Sequence, residues 1–330
     1  MPSLLPSSPA SAPGFAKGSI ETAGLVEVRA ASPAIRPHLM AALLLNIVVV
    51  AALLHAAQLR IDPWTAGART YFAAALLLVL VRFALPRTNW RHAGTVAHFT
   101  EYTGLFTLIS VMGATASYPV AALTHGYADA TLQHIDEALG FGWLAWYRLV
   151  AAHPVLQALG TVAYRSIYVT PAMILWCAAR AGRHDFAYRF IAGFWVATVI
   201  TLALFSLMPA VGPFSYLWHG AIPYMPESEQ WQSGLIPALR AHGVHFIDLG
   251  RLRGIVSAPS FHTAAAVLYV VAGWRIAALR WPIVALNLMM MLSTPVEGTH
   301  YLADMLLGAV VALLSLALVA GYCGRMRSQA

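Results

Sequence analysis

"APSFHTAAAVLYVVAG", residues 258–273, sets a proline, a serine and a histidine directly in front of an unbroken apolar run. The run reads as a helix in lipid, and the histidine at its mouth as a polar group placed at a membrane surface. Working outward, similar apolar runs lie near 39–57, 70–85, 102–123, 155–179, 187–208, 262–279, 282–296 and 301–322. The second and seventh are the shortest, so either is a candidate for a re-entrant segment. Of the 330 residues 59% are hydrophobic and 10% charged, which excludes an ordinary soluble domain. The fold class is therefore all-α: a polytopic membrane helix bundle of about eight spans.

Charge sets the orientation. With the N-terminus inside and every run crossing, thirteen of the twenty basic residues fall on the inside, in short arginine-bearing loops, and reversal would invert the bias. Both termini are thus expected in the cytoplasm. The net charge of +7 follows from this topology, with no basic patch of the kind that binds nucleic acid. Cys177 and Cys323 match no metal motif and form no disulfide framework. Residues 1–37, rich in Pro, Ser and Ala, read as a disordered cytoplasmic tail. Residues 38–101 hold two additional N-terminal spans, and 102–330 a six-helix core.

Two long segments face outside. One, 124–154, carries Asp129, Asp136 and Glu137 beside "GFGWLAWY"; the other, 209–258, carries "VGPFSYLWHG" and "PYMPESEQW". Their prolines and aromatics suit an interfacial cover as well as a passive loop.

On this topology "APSFH" opens the sixth span and "GTHYLAD", residues 298–304, opens the eighth, so His262 and His300 meet at one membrane face. His300 and Asp304 are four apart and, on a helix, share a face, where the carboxylate fixes the imidazole tautomer. A single interfacial histidine is ordinarily just solvated. Two histidines, an aspartate and a Pro-Ser helix start at one face make a candidate site. Asn46, His55, His98 and Asn287 carry only the expectation of interhelical hydrogen bonds.

"PSFH" followed by "HYLAD" resembles the second and third signature motifs of the type 2 phosphatidic acid phosphatase superfamily, and the last six spans resemble its layout. Phe261 stands where general lipid phosphatases have Gly, Thr294 where they have Arg, and "LMPAVGPF" where they have Lys-Arg-Pro; Ser293 matches the family's serine. The bulky residue in Pro-Ser-x-His and the Tyr after the last histidine look like the inositol phosphorylceramide synthase and sphingomyelin synthase branch. The resemblance implies a membrane enzyme that transfers a phospho-headgroup from a phospholipid to a lipid hydroxyl, ceramide or diacylglycerol for example. The alternative within the family is a lipid phosphatase that uses water. The same resemblance implies His300 as nucleophile, Asp304 as its orienter and His262 as the acid that protonates the leaving alcohol, on the outer face of a bacterial inner membrane, with no cofactor and no metal.

Substrate phosphate then needs donors and a cation. Ser260 is either a phosphate ligand or a plain N-cap. Arg253, with Arg251 as second choice, precedes the histidine motif. Arg165 lies within the fourth span, where burial would demand Asp304 or Glu297 as partner. Two rivals use other chemistry. Two histidines and a carboxylate also make a non-haem iron triad, though no paired histidine cluster accompanies them. A carrier without turnover lacks the broken-helix pairs that transporters show.

Overall fold

The computed structural model describes residues 35–329, so the expected tail, 1–37, lies outside the described residues except where its last three begin the first helix. The helices are α1 Ile35–Ala56, α2 Ala66–Ala84, α3 Ala93–Leu123, α4 Asp129–Ala138, α5 Trp143–Ala151, α6 Pro154–Arg165, α7 Val169–Arg180, α8 His184–Leu207, α9 Pro213–Leu217, α10 Glu229–Gln232, α11 Leu235–Arg240, α12 Phe261–Trp274, α13 Arg280–Glu297 and α14 Leu302–Ser328. The expected division at 101/102 falls inside α3, a continuous helix that begins at Ala93.

Six helices among the described residues are long and apolar enough to cross a membrane: Ile35–Ala56, Ala66–Arg87, Ala93–Leu123, Pro154–Arg180, His184–Leu207 and Leu302–Ser328. The all-α bundle is as expected, but the count by length and composition is six, against about eight read from hydropathy. The second span, expected short, runs 22 residues from Ala66 to Arg87. The short apolar helix is instead α12, at 14 residues, because Arg275 caps its end and the chain turns at once toward α13. Leu44, Leu45, Leu76, Leu77, Leu313 and Leu314 are all exposed, which is tolerable for a protein whose surroundings are lipid.

α12 lies at the centre, packed against α8, α13 and α14. Its small side chains Ala264, Ala265, Ala266 and Ala272 are buried, allowing the close backbone approach on which membrane helix association depends. α1 and α2 pack on α3, where Glu101 receives Arg36 Nε and Arg82 Nε, both at 2.6 Å, and the Tyr188 hydroxyl at 2.7 Å. One carboxylate thus joins both N-terminal helices to the core.

At the end where α12 and α14 begin, the chain forms α4, α5 and the 208–260 segment. A two-residue parallel pairing of β1 Arg60–Ile61 with β2 Phe246–Ile247 ties that segment to the α1–α2 connection. Phe214 and Trp218 insert beside Tyr147, with ring centroids 5.5 and 4.8 Å away, fastening the segment to α5.

The crossing of α14 over the start of α12 depends on Gly308, where a Cβ would lie 2.3 Å from the Ser260 carbonyl oxygen. Gly308→Ala is expected to force the two helix starts apart and to destabilise the protein by about 1–3 kcal/mol. The midpoint of thermal unfolding in detergent would read this; an unchanged midpoint would mean that the crossing is not tight.

Candidate active site

Ser260 is fully buried, and its hydroxyl accepts from Thr263 N at 3.4 Å and from Thr263 Oγ1 at 3.2 Å, the geometry of an N-cap. Its backbone N–H donates to the Asp304 carbonyl at 3.1 Å, which fixes the start of α12 to the start of α14. Asp304 Oδ2 in turn accepts from Tyr301 N at 3.0 Å. His300 therefore does not share a helix with Asp304, as its spacing suggested. α14 begins at Leu302 behind an extended Tyr301, and the carboxylate that caps its first turn also reaches back to the imidazole.

His300 Nδ1 lies 3.1 Å from Asp304 Oδ1, with side-chain exposures of 4% and 0%. The pair meets at ion-pair distance off the line of an ideal hydrogen bond, and neither atom has another hydrogen-bond partner. With Nδ1 held there, Nε2 is the free nitrogen. His262, in the first turn of α12, stacks on the Tyr164 ring at a centroid distance of 3.9 Å and 16° between planes, which fixes its ring plane. His262 and His300 line one cavity of about 540 Å³, together with Tyr164, Arg253, Ser228 and Gln232. Among the described residues no three His, Cys, Asp or Glu side chains converge as a metal-ligand group.

The other expected residues divide. Arg253 lines the cavity, its guanidinium 5.0 Å over the Trp231 ring. Arg251 is exposed at the end of a 3-10 turn and does not line it. Arg165, expected inside the bundle, is 59% exposed and outside the cavity, clamped by both Glu227 carboxylate oxygens. The helix ends at Arg165 and a 3-10 turn follows, so the side chain leaves the interior. The expected partner Glu297 is buried and receives the Tyr224 hydroxyl at 2.7 Å and Glu227 N at 3.2 Å. Ser293 and Thr294 both donate to the Met290 carbonyl at 2.8 Å, so neither hydroxyl has a proton left for the cavity.

Residues to which the sequence reading gave no role at the site hold His300 in place. Asp136 of α4 accepts from Leu302 N at 2.9 Å and Ala303 N at 2.7 Å, the first two amides of α14. Asp129 accepts from the Tyr301 hydroxyl at 3.0 Å and from Val211 N and Gly212 N at 2.9 Å. Burial raises the Asp136 carboxyl above the ordinary range, and its two amide bonds work the other way. Thr299, next to His300, has φ +49°, a left-handed backbone that a β-branched residue adopts only under restraint. Its hydroxyl donates to Glu229 Oε1 at 3.1 Å and accepts from Gln232 Nε2 at 3.3 Å. Gly212 makes room: a Cβ there would sit 2.8 Å from the Thr299 carbonyl oxygen. Burial raises the Glu229 carboxyl too, partly offset by donors from Gln232, Thr299 and Ser215. The only sequence signal for this support was the run of acids beside "GFGWLAWY".

Asp136 is a positioning residue. Asp136→Ala should cost about 0.5–2 kcal/mol as a lost helix cap, and should lower kcat far more than it raises KM, because the ring moves while the cavity stays. Steady-state kinetics beside a melting curve would separate the two effects, and a pure KM change would argue against the assignment.

Residues 130–318, more than half of the chain, match the family model for the PAP2 superfamily. No curated protein and no solved structure matches. The matched stretch contains both histidines, Asp304 and Asp136 of α4, so the chain belongs to the PAP2 superfamily and with it to the membrane-bound lipid phosphatases and phosphotransferases.

Proposed function

We propose that this protein is an integral membrane phosphotransferase that moves a phosphorylated headgroup from a phospholipid to the hydroxyl of a second lipid, in the manner of the inositol phosphorylceramide synthase branch. The observation that carries it is the shared cavity wall: His300, backed by Asp304, faces the same space as His262 and Arg253.

The residues divide the chemistry as follows. Nε2 of His300 attacks phosphorus, and the bond from phosphorus to the diacylglycerol oxygen breaks. His262 gives its proton to that leaving oxygen, so free diacylglycerol departs and the headgroup phosphate stays on His300. Asp304 stabilises the positive charge that the imidazole gains. His262, now neutral, takes the proton of the incoming hydroxyl; its oxygen attacks phosphorus and His300 leaves. Arg253 offsets phosphate charge. A transferase must also keep water from the phosphohistidine, and the 208–260 segment is suited to this role. It contributes Ser228, Gln232 and Arg253 to the cavity and is bonded to the His300 stretch through Ser228 N and the Glu297 carbonyl, 2.9 Å.

Labelled phospholipids incubated with the purified protein, with and without ceramide or diacylglycerol, test this through the mass of the products. Transferred headgroup is expected with acceptor present. His300→Ala should lower turnover by on the order of 10³-fold or more, and Asp304→Asn should lose most of it with the fold intact. Phe214→Ala with Trp218→Ala, which unfastens the cover, should raise the ratio of hydrolysed to transferred headgroup. A wild-type protein that only hydrolyses would leave a lipid phosphatase.

The positive-inside bias supports placing the site on the outer face with the C-terminus in the cytoplasm. After replacement of Cys177 and Cys323, Ser233→Cys should react with an impermeant thiol reagent added to intact cells and Ser328→Cys should not; both positions are exposed. Labelling of the Ser328 site alone would reverse the orientation.

A further inference from the structure

The cavity that holds the two histidines does not end at them. It continues along α3 from Ala114 to Thr103, roughly 16 Å at 1.5 Å per residue, bounded by α7 and α8. Five residues line the cavity and are exposed at the same time: Arg253 and Gly254 at the histidine end, and, away from it, Tyr71 of α2, Thr107 of α3 and Tyr168 at the start of α7. α2 and α7 both pack on α3. Tyr71, Thr107 and Tyr168 therefore mark a lateral mouth across α3, which opens toward lipid and is separate from the opening at Arg253 and Gly254.

Two wall hydroxyls, those of Thr103 and Thr201, are buried without a hydrogen-bond partner, and Thr201 is the more deeply buried of the two. Hydroxyls on membrane helices ordinarily donate to the carbonyl one turn back, and two of the wall do: Ser110 to Phe106 O at 3.0 Å and Thr198 to Phe194 O at 2.9 Å. Thr201, only 2% exposed, has no partner for its hydroxyl. It lies six residues before the end of α8, about 9 Å from the helix end that feeds the histidine side of the bundle. A buried donor without an acceptor is costly in an apolar setting, and a ligand carbonyl at this depth would remove that cost.

We propose that this chamber receives one acyl chain of the substrate lipid, admitted between α2 and α7, with the Thr201 hydroxyl donating to the carbonyl that joins the chain to its backbone. The carbonyl is that of an ester or an amide; a plain hydrocarbon or an ether-linked chain offers none. The inference rests on the lipid phosphoester reading above and adds which part of the lipid is recognised, by what, and from which side.

Three measurements on the full-length protein in lipid nanodiscs test it. Thr201→Val keeps the shape and removes only the hydroxyl. Because that hydroxyl has no protein partner the fold should be as stable as wild type, while the preference in kcat/KM for a diacyl phospholipid over its dialkyl ether analogue should fall about fivefold, the worth of one hydrogen bond in a membrane protein. An unmoved preference overturns the role of Thr201. Ser110→Phe places a ring midway down the chamber and should shift the chain-length profile toward shorter acyl chains; a profile that stays where it was overturns the chamber. The third measurement needs no turnover. His300→Ala protein is loaded with a phospholipid carrying a photoreactive acyl chain, and crosslinks are mapped. Crosslinks within 103–114 of α3 and 194–202 of α8 support the chamber even should the phosphotransferase reading fail, and crosslinks confined to the exposed faces of α1 and α14 overturn it.

Discussion

Everything near the site hangs on the carboxylate and carbonyl of Asp304. Its main-chain oxygen takes the Ser260 amide, one side-chain oxygen takes the Tyr301 amide, and the other faces His300 Nδ1. One residue therefore aligns the starts of α12 and α14 and orients the imidazole between them. The consequence is economy of freedom: the ring cannot turn without breaking the helix start, and the helix start cannot shift without parting from α12. Gly308 makes the arrangement possible by letting the two backbones approach, since any Cβ there would strike the Ser260 carbonyl.

Spending the amides this way has a cost for substrate binding. The first two amides of α14 are occupied by Asp136, so the start of that helix has no free donors there for a phosphate. On the proposed reading, phosphate charge falls instead to Arg253, the one arginine of the cavity wall, and to the amides that open α12. Thr294, standing where general lipid phosphatases of the resemblance have an arginine, returns its hydroxyl to its own helix and supplies nothing to the cavity. The positive φ of Thr299, held by Glu229, Gln232 and the bare backbone of Gly212, is strain kept beside the candidate nucleophile by two stretches of the 208–260 segment. The 208–260 segment is thereby part of the site's scaffold as well as its cover.

Composition, hydropathy and two short motifs were enough to read an all-α membrane bundle and to bring His262, His300 and Asp304 to one face. These are properties of single segments, an apolar run long enough to span and a polar residue at its mouth, whereas the spacing of four misled, because His300 stands outside the helix whose first turn holds Asp304. Span length was read less well. Hydropathy runs on past Trp274 through Ile276, Ala277, Ala278 and Leu279, and no local signal shows that the helix stops at Arg275.

What only the tertiary structure decided is whatever depends on segments distant in the chain. Arg165 looked interior because it sits in an apolar run, yet the break after it turns the side chain out to Glu227, 62 residues away. Asp129 and Asp136 looked like loop acids, yet they are buried, their oxygens accepting from amides 82 to 167 residues away and from the Tyr301 hydroxyl 172 away. The chamber beneath the histidines, with its unpartnered Thr201, is formed by faces of α3, α7 and α8 that read in sequence as ordinary membrane spans. Sequence determines which groups can carry charge or hydrogen bonds and how long each helix is able to be. Which of them are desolvated, and against whom, is fixed only when the helices close on one another, because desolvation is a property of the surroundings.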